Sequence, residues 1–138
     1  MEINYLAVVV CAILSMGLGF LWFGAIFGKR WMELTVTGVV TPEERSVMMK
    51  RANKFYIVQF VLSLFQIWIL AYYIAGWNNV SGLENALWIW AAFVMPTIVG
   101  NIMWNNGPKG FSWPKFLIQA GYQLVLFAVL GIILGIWR

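Results

Sequence analysis

The 138-residue sequence has no histidine, no aspartate and a single cysteine, Cys11. The missing histidine removes the side chain that most often serves as catalytic base and metal ligand. One cysteine cannot build an intramolecular disulfide, a CxxC redox pair or a thiolate metal site. Charge is scarce too: charged residues are 10% of the chain, against roughly a quarter in an ordinary globular domain. A soluble protein of this size could not hide the surface of a chain that is 62% hydrophobic, whereas a bilayer accepts it. No catalytic residue, metal site or cofactor is expected, and no enzymatic activity.

What the chain does contain is long hydrophobic runs. A helix rising 1.5 Å per residue needs about 20 apolar residues to cross roughly 30 Å of hydrocarbon. Residues 5–27, 55–75, 86–104 and 116–137 qualify, so the expected fold is all-α: one domain, residues 1–138, of four transmembrane helices in a bundle. Strands are not credible, because no run alternates and an open sheet edge is not tolerated in lipid. The first run has no Lys or Arg before Lys29 and is of spanning length, which reads as a retained helix and not as a signal peptide. Pro96 makes the third span irregular: it has no N–H, so the Ala92 carbonyl one turn earlier lacks its usual donor. The Thr97 hydroxyl, a water or a partner helix can satisfy that carbonyl.

The connections orient the bundle. Lys29, Arg30, Arg45, Lys50, Arg51 and Lys54 fall in the first connection, 28–54, and Lys109 and Lys115 in the third. The second, 76–85, has no Lys or Arg, and the termini contribute only Arg138. By the positive-inside rule the first and third connections face the cytoplasm and both termini lie outside, in a cell membrane (the inner one if the source is bacterial). Basic residues that interrupt hydrophobic spans point to anionic lipid headgroups as neighbours, not to nucleic acid. Tryptophan and tyrosine gather towards the two ends of the spans, as interface anchors do. Within the first connection, Thr41-Pro42-Glu43-Glu44 reads as a helix start, with Thr41 as cap, proline at the first position and Glu44 closing a capping box. The helix is expected to continue through Arg45–Lys54 into the second span.

Small residues indicate where helices approach closely, since lipid tails are as apolar as leucine and supply no hydrophobic force between spans. Ala7, Cys11, Ser15 and Gly19 form a stripe at steps of four, and Gly24 and Gly28 add a GxxxG pair. Gly121, Ala128 and Gly135 recur at steps of seven, with Gly131 making a second GxxxG pair. Such stripes serve packing within the chain or against another copy equally well.

No ionisable residue lies in any span. Neutral polar groups do: Gln59, Ser63 and Gln66 share one helix face, Thr97, Asn101 and Asn105 another, and Gln119, Tyr122 and Gln123 cluster on the fourth span. With Trp22 at similar depth, they are read as a candidate polar pocket of Trp22, Gln59, Ser63, Asn101, Gln119, Tyr122 and Gln123, rimmed by Lys29, Arg30, Lys109 and Lys115. The alternative is a hydrogen-bond network that fastens the helices, at roughly 0.6–2 kcal/mol per bond. Either way proton-coupled transport is disfavoured. Small four-helix multidrug exporters rely on an embedded glutamate, quinone-linked thiol oxidoreductases on paired cysteines and haem bundles on histidine, and all of these are missing here.

Gly19-Phe20-Leu21-Trp22-Phe23-Gly24, then Phe27-Gly28-Lys29-Arg30-Trp31-Met32, resembles the opening motif of the bacterial membrane family catalogued as domain of unknown function 1761. The stretch from Phe116 to Val125 is similar to that family's fourth-helix motif, with Gln119 and Gln123 where asparagine and histidine often stand. The resemblance implies a four-helix membrane protein and no particular activity. The first expectation is a self-associating protein or accessory subunit of a membrane complex, a homo-oligomer or a partner to other subunits. The second is a small transporter or a ligand- or lipid-binding protein with a cytoplasm-facing polar pocket.

Overall fold

The computed structural model describes residues 2–35 and 41–137; the stretch 36–40 of the first basic connection, Met1 and Arg138 lie outside the described residues. The architecture is all-α, with no strand among the described residues. Helix α1 (Tyr5–Phe20) passes into a π-helical turn, Leu21–Ile26, and α2 (Gly28–Thr35) follows. Helix α3 runs over Pro42–Gly76. The third span is composite: α4 (Gly82–Ile89), a π-helical turn (Trp90–Val94) and α5 (Met95–Asn105). A short 3-10 turn, Gly107–Lys109, leads to α6 (Trp113–Ile136).

Among the described residues, four stretches are long and apolar enough to cross a membrane: Tyr5–Ile26, Pro42–Gly76, Gly82–Asn105 and Trp113–Ile136. The arrangement is that of a multi-pass membrane protein. The start of α3 follows from its sequence. The Thr41 hydroxyl accepts from the Glu44 N–H at 3.2 Å, and the Glu44 carboxylate accepts from the Thr41 N–H at 3.3 Å. With its first turn fixed, α3 extends unbroken from its exposed basic segment into the span.

Pro96 is accommodated differently from the expectation. The helix widens over the turn before it, so that the Met95 N–H reaches the Trp90 carbonyl five residues back. The Thr97 hydroxyl donates to the Phe93 carbonyl at 2.5 Å, not to that of Ala92. A π-turn absorbs a residue that ordinary helical bonding cannot serve.

The tightest packing joins α4 to α6 within one chain. A Cβ on Gly131 would lie 2.6 Å from the Gly82 carbonyl oxygen and 2.7 Å from Ala86 Cβ, and one on Gly82 would lie 2.7 Å from Gly135 Cα. Helix α1 joins the same end through Ala7, Val8, Cys11 and Ala12, packed with Ile67, Leu70, Ala71 and Ile74 of α3 and Leu126, Phe127, Leu130 and Leu134 of α6. This end carries the chain termini and the 76–85 connection; the opposite, basic end carries α2 and the start of α3. Gly19 and Gly121 also face helix contacts, with Tyr122 and Trp22 respectively. A Cβ on Gly24 would meet nothing within 4 Å, and one on Gly28 would meet only the Phe23 carbonyl of its own preceding turn. The Gly24/Gly28 pair therefore packs no neighbouring helix, because the π-turn and the break at Phe27 place the two on different helical elements.

Replacing Gly82 with alanine should destabilise the bundle by roughly 1–3 kcal/mol through overpacking, whereas Gly17→Ala, in open space, should be neutral or stabilising. Reversible unfolding in bicelles measures both; equal effects would contradict the backbone contact.

Candidate functional site

On α1 the buried residues stop at Ser15, and on α3 they begin at Ser63. Beyond these levels, towards the basic end, α1 and α3 part. The gap is a cleft of about 420 Å³ between α1 with its π-turn, α3 and α6. That volume falls within the range of small-molecule sites. Its polar lining is Ser15, Tyr56, Gln59, Ser63, Gln66, Tyr122 and Gln123; its apolar lining includes Met16, Phe20, Phe23, Ile67, Leu126 and Leu130. Among the described residues no carboxylate, amine, guanidinium or imidazole lines it.

Four of the seven expected pocket residues meet in this cleft: Gln59, Ser63, Tyr122 and Gln123. Gln59 and Ser63, four apart, share a helix face, and α6 brings the adjacent Tyr122 and Gln123 to the same cleft. Gln59 donates weakly to the Ser63 hydroxyl at 3.4 Å. The Tyr122 hydroxyl donates to the Ser15 carbonyl at 3.2 Å and ties α6 to α1 where α1 and α3 begin to part. Gln123 differs: its Oε1 is buried and has no hydrogen-bond partner among the described residues. A buried acceptor left without a donor costs about 1–3 kcal/mol, and a turn of the Gln123 side chain would bring its amide to the cleft that the residue lines.

The other three lie elsewhere. The Trp22 indole N–H donates to the Ile118 carbonyl at 3.0 Å, and its ring covers Gly121. It fastens the π-turn to α6 and does not line the cleft. Gln119 is half-buried on α6, away from the lining. Asn101 is exposed on α5 and accepts a hydrogen bond from Asn105. Helix α5 cannot reach the cleft because α6 stands between them: the third span packs on α6, and α6 in turn supplies the wall opposite α1 and α3.

None of the four rim cations lines the cleft. Lys29, Arg30 and Lys109 are exposed; Arg30 makes a surface pair with Glu33 at 3.4 Å, and Lys115 donates to the Asn106 side chain at 3.0 Å. Phe20, Phe23 and Tyr56 were not among the expected site residues. Tyr56 could have been found by extending the Gln59–Ser63–Gln66 face back by three residues, and Phe23 by extending the Ser15–Gly19 stripe forward by four.

The sequence profile of the family described as protein of unknown function (DUF1761) matches residues 6–135. The chain belongs to this family. No curated protein and no solved structure matches it. The matched region takes in every element that lines the cleft, so in this DUF1761 chain the cleft belongs to the family domain itself and not to an appended segment.

In this DUF1761 protein, Tyr122→Phe should cost about 0.6 kcal/mol and at most roughly 1.7, the span measured for hydrogen bonds between membrane helices. Asn101→Leu, at an exposed site, should leave stability unchanged or raise it. Unfolding titrations of the two variants check this, and the reverse order of effects would refute the division between fastening and peripheral polar groups.

Proposed function

We propose that the chain is a membrane-embedded binding protein for an uncharged molecule that carries hydroxyl or amide groups on an apolar body. The observation that carries this reading is a cleft of about 420 Å³ lined by three glutamines, a serine pair and two tyrosines and, among the described residues, by no charged side chain. Amides both donate and accept, so they suit a neutral polar head, while Ile67, Leu126 and Leu130 suit its apolar part. A group with a full charge would be left in a low-dielectric site without a counter-ion. Among the described residues the lining offers two phenols, Tyr56 and Tyr122, but no carboxylate, amine or imidazole, which favours binding, or passage of the ligand, over catalysis.

The excess of Lys and Arg at the end bearing α2 and the start of α3 orients that end to the cytoplasm, with both termini outside, in a plasma or bacterial inner membrane. The cleft then lies in the cytoplasmic half of the bilayer. Self-association has less behind it, because most of the small-residue stripes are taken up inside the chain by α4 against α6 and α1 against α3, while the Gly24/Gly28 pair packs against no helix of this chain.

Native mass spectrometry of the protein, released from membranes with its own lipids, tests the binding reading. A bound species of fixed mass at one per chain is expected, and it should be lost in the double variant Gln59→Leu/Gln123→Leu while the fold is kept. A chain that carries no retained species, or one equally retained by the double variant, would overturn the reading.

A further inference from the structure

Described residues bound the cleft on three sides. Towards the end bearing the termini it is stopped by the packed core around Cys11, Ile67 and Leu130. Behind, α6 forms the wall. Towards α2 it is bounded by Phe23, held edge-on between Trp31 and Tyr122 at ring-centroid distances of 5.0 and 5.1 Å. The remaining side lies between α1 and α3 and faces laterally, where a bilayer would be. There the exposed rings of Phe20 and Tyr56 meet edge to face at 5.0 Å. Beside them the Gly24 position leaves open space, and Gln59 and Gln66 are exposed along the same opening.

Exposed glutamines on the lipid side of a span are expensive unless something polar lies against them. We infer that the ligand is a lipid with an uncharged, hydroxyl-bearing head, admitted sideways from the bilayer between α1 and α3 through a mouth spanned by Phe20 and Tyr56. The inference rests on the proposed binding role and adds the ligand class and its route. The head lies against Gln59, Ser63 and Gln123, and the chains stay in the bilayer, since a cleft of about 420 Å³ is too small for a whole diacyl lipid. A contact between two exposed aromatic rings on different helices is weak enough for thermal opening. Tyr56 lies two residues from Lys54, so the mouth begins near the headgroup level, where such a lipid presents its hydroxyl.

The test uses phosphatidylcholine nanodiscs that hold the full chain, doped with a diacylglycerol bearing a diazirine close to its glycerol. The background variant is Cys11→Ala with Phe20→Cys and Tyr56→Cys, bridged by a short bis-maleimide before the probe is added. Unbridged protein is expected to be photolabelled on cleft residues of α3 and α6. Bridging should remove most of that labelling, while capping each cysteine singly with N-ethylmaleimide should not. Phe20→Ala, with the mouth widened, should be labelled faster than the wild type, which tests the route without relying on the bridged protein. If bridging leaves labelling intact while Gln59→Leu/Gln123→Leu abolishes it, the lateral route is wrong and the cleft reading stands. If the leucine pair has no effect either, the cleft reading fails as well. Equal labelling by a phosphatidic acid carrying the same diazirine would overturn the uncharged head.

Discussion

The contact on which the rest of the bundle depends is the meeting of Gly82 with Gly131 and Gly135 across α4 and α6. Apolar burial cannot pull helices together in a medium as apolar as their side chains, so association depends on how closely backbones approach. Three glycines and Ala86 allow the closest approach in the molecule. They set α4 hard against α6 at the end bearing the termini, and α1 and α3 complete that end through Ala7, Cys11, Ile67 and Ala71. No comparable set of small residues joins α1 to α3 at the basic end. Gly24 stands in open space there, and its neighbours in the π-turn are all at least partly exposed. Closure at one end and separation at the other thus have one cause.

Several polar groups are spent on structure: the Trp22 indole on Ile118, the Tyr122 hydroxyl on Ser15 and the Ser15 hydroxyl on Ala12. Three buried polar atoms have no partner among the described residues: Asn85 Nδ2 and Trp90 Nε1 on the third span and Gln123 Oε1 on α6. Membrane bundles normally satisfy their amides pairwise. An arrangement that places glutamines of two helices around an uncharged space, without joining them, is better suited to holding a third party than to fastening the helices.

Much of the fold was legible from the sequence because it rests on one-dimensional signals. Span length, the Thr41–Glu44 cap and the helix carried through Arg45–Lys54 all depend on neighbours along the chain. The site was legible only in part. The face formed by Gln59, Ser63 and Gln66 was readable from helical spacing, but which faces meet depends on the order of helices around the bundle. Asn101 has the same chemistry and depth as Gln123, yet α6 separates its helix from the cleft. Trp22 was placed at the right depth, but the π-turn rotates it onto α6, and nothing in the residues before it announces that turn. The third span shows the same limit: Pro96 signalled an irregularity, while the form it took, a widened turn at Trp90–Val94, required the packed neighbours.

The most direct test of the central claim compares the two ends of the α1–α3 pair. Nitroxides at exposed positions would be placed at Leu6 and Tyr73 in one protein and at Leu21 and Ile57 in another, each in the Cys11→Ala background, and dipolar broadening recorded in nanodiscs. The account predicts one narrow distance for the first pair whatever the lipid, and a second-pair distance that shifts when native lipid is exchanged for phosphatidylcholine. Two equally narrow distances, both indifferent to that exchange, would mean that the helices are fastened along their whole length and would contradict it.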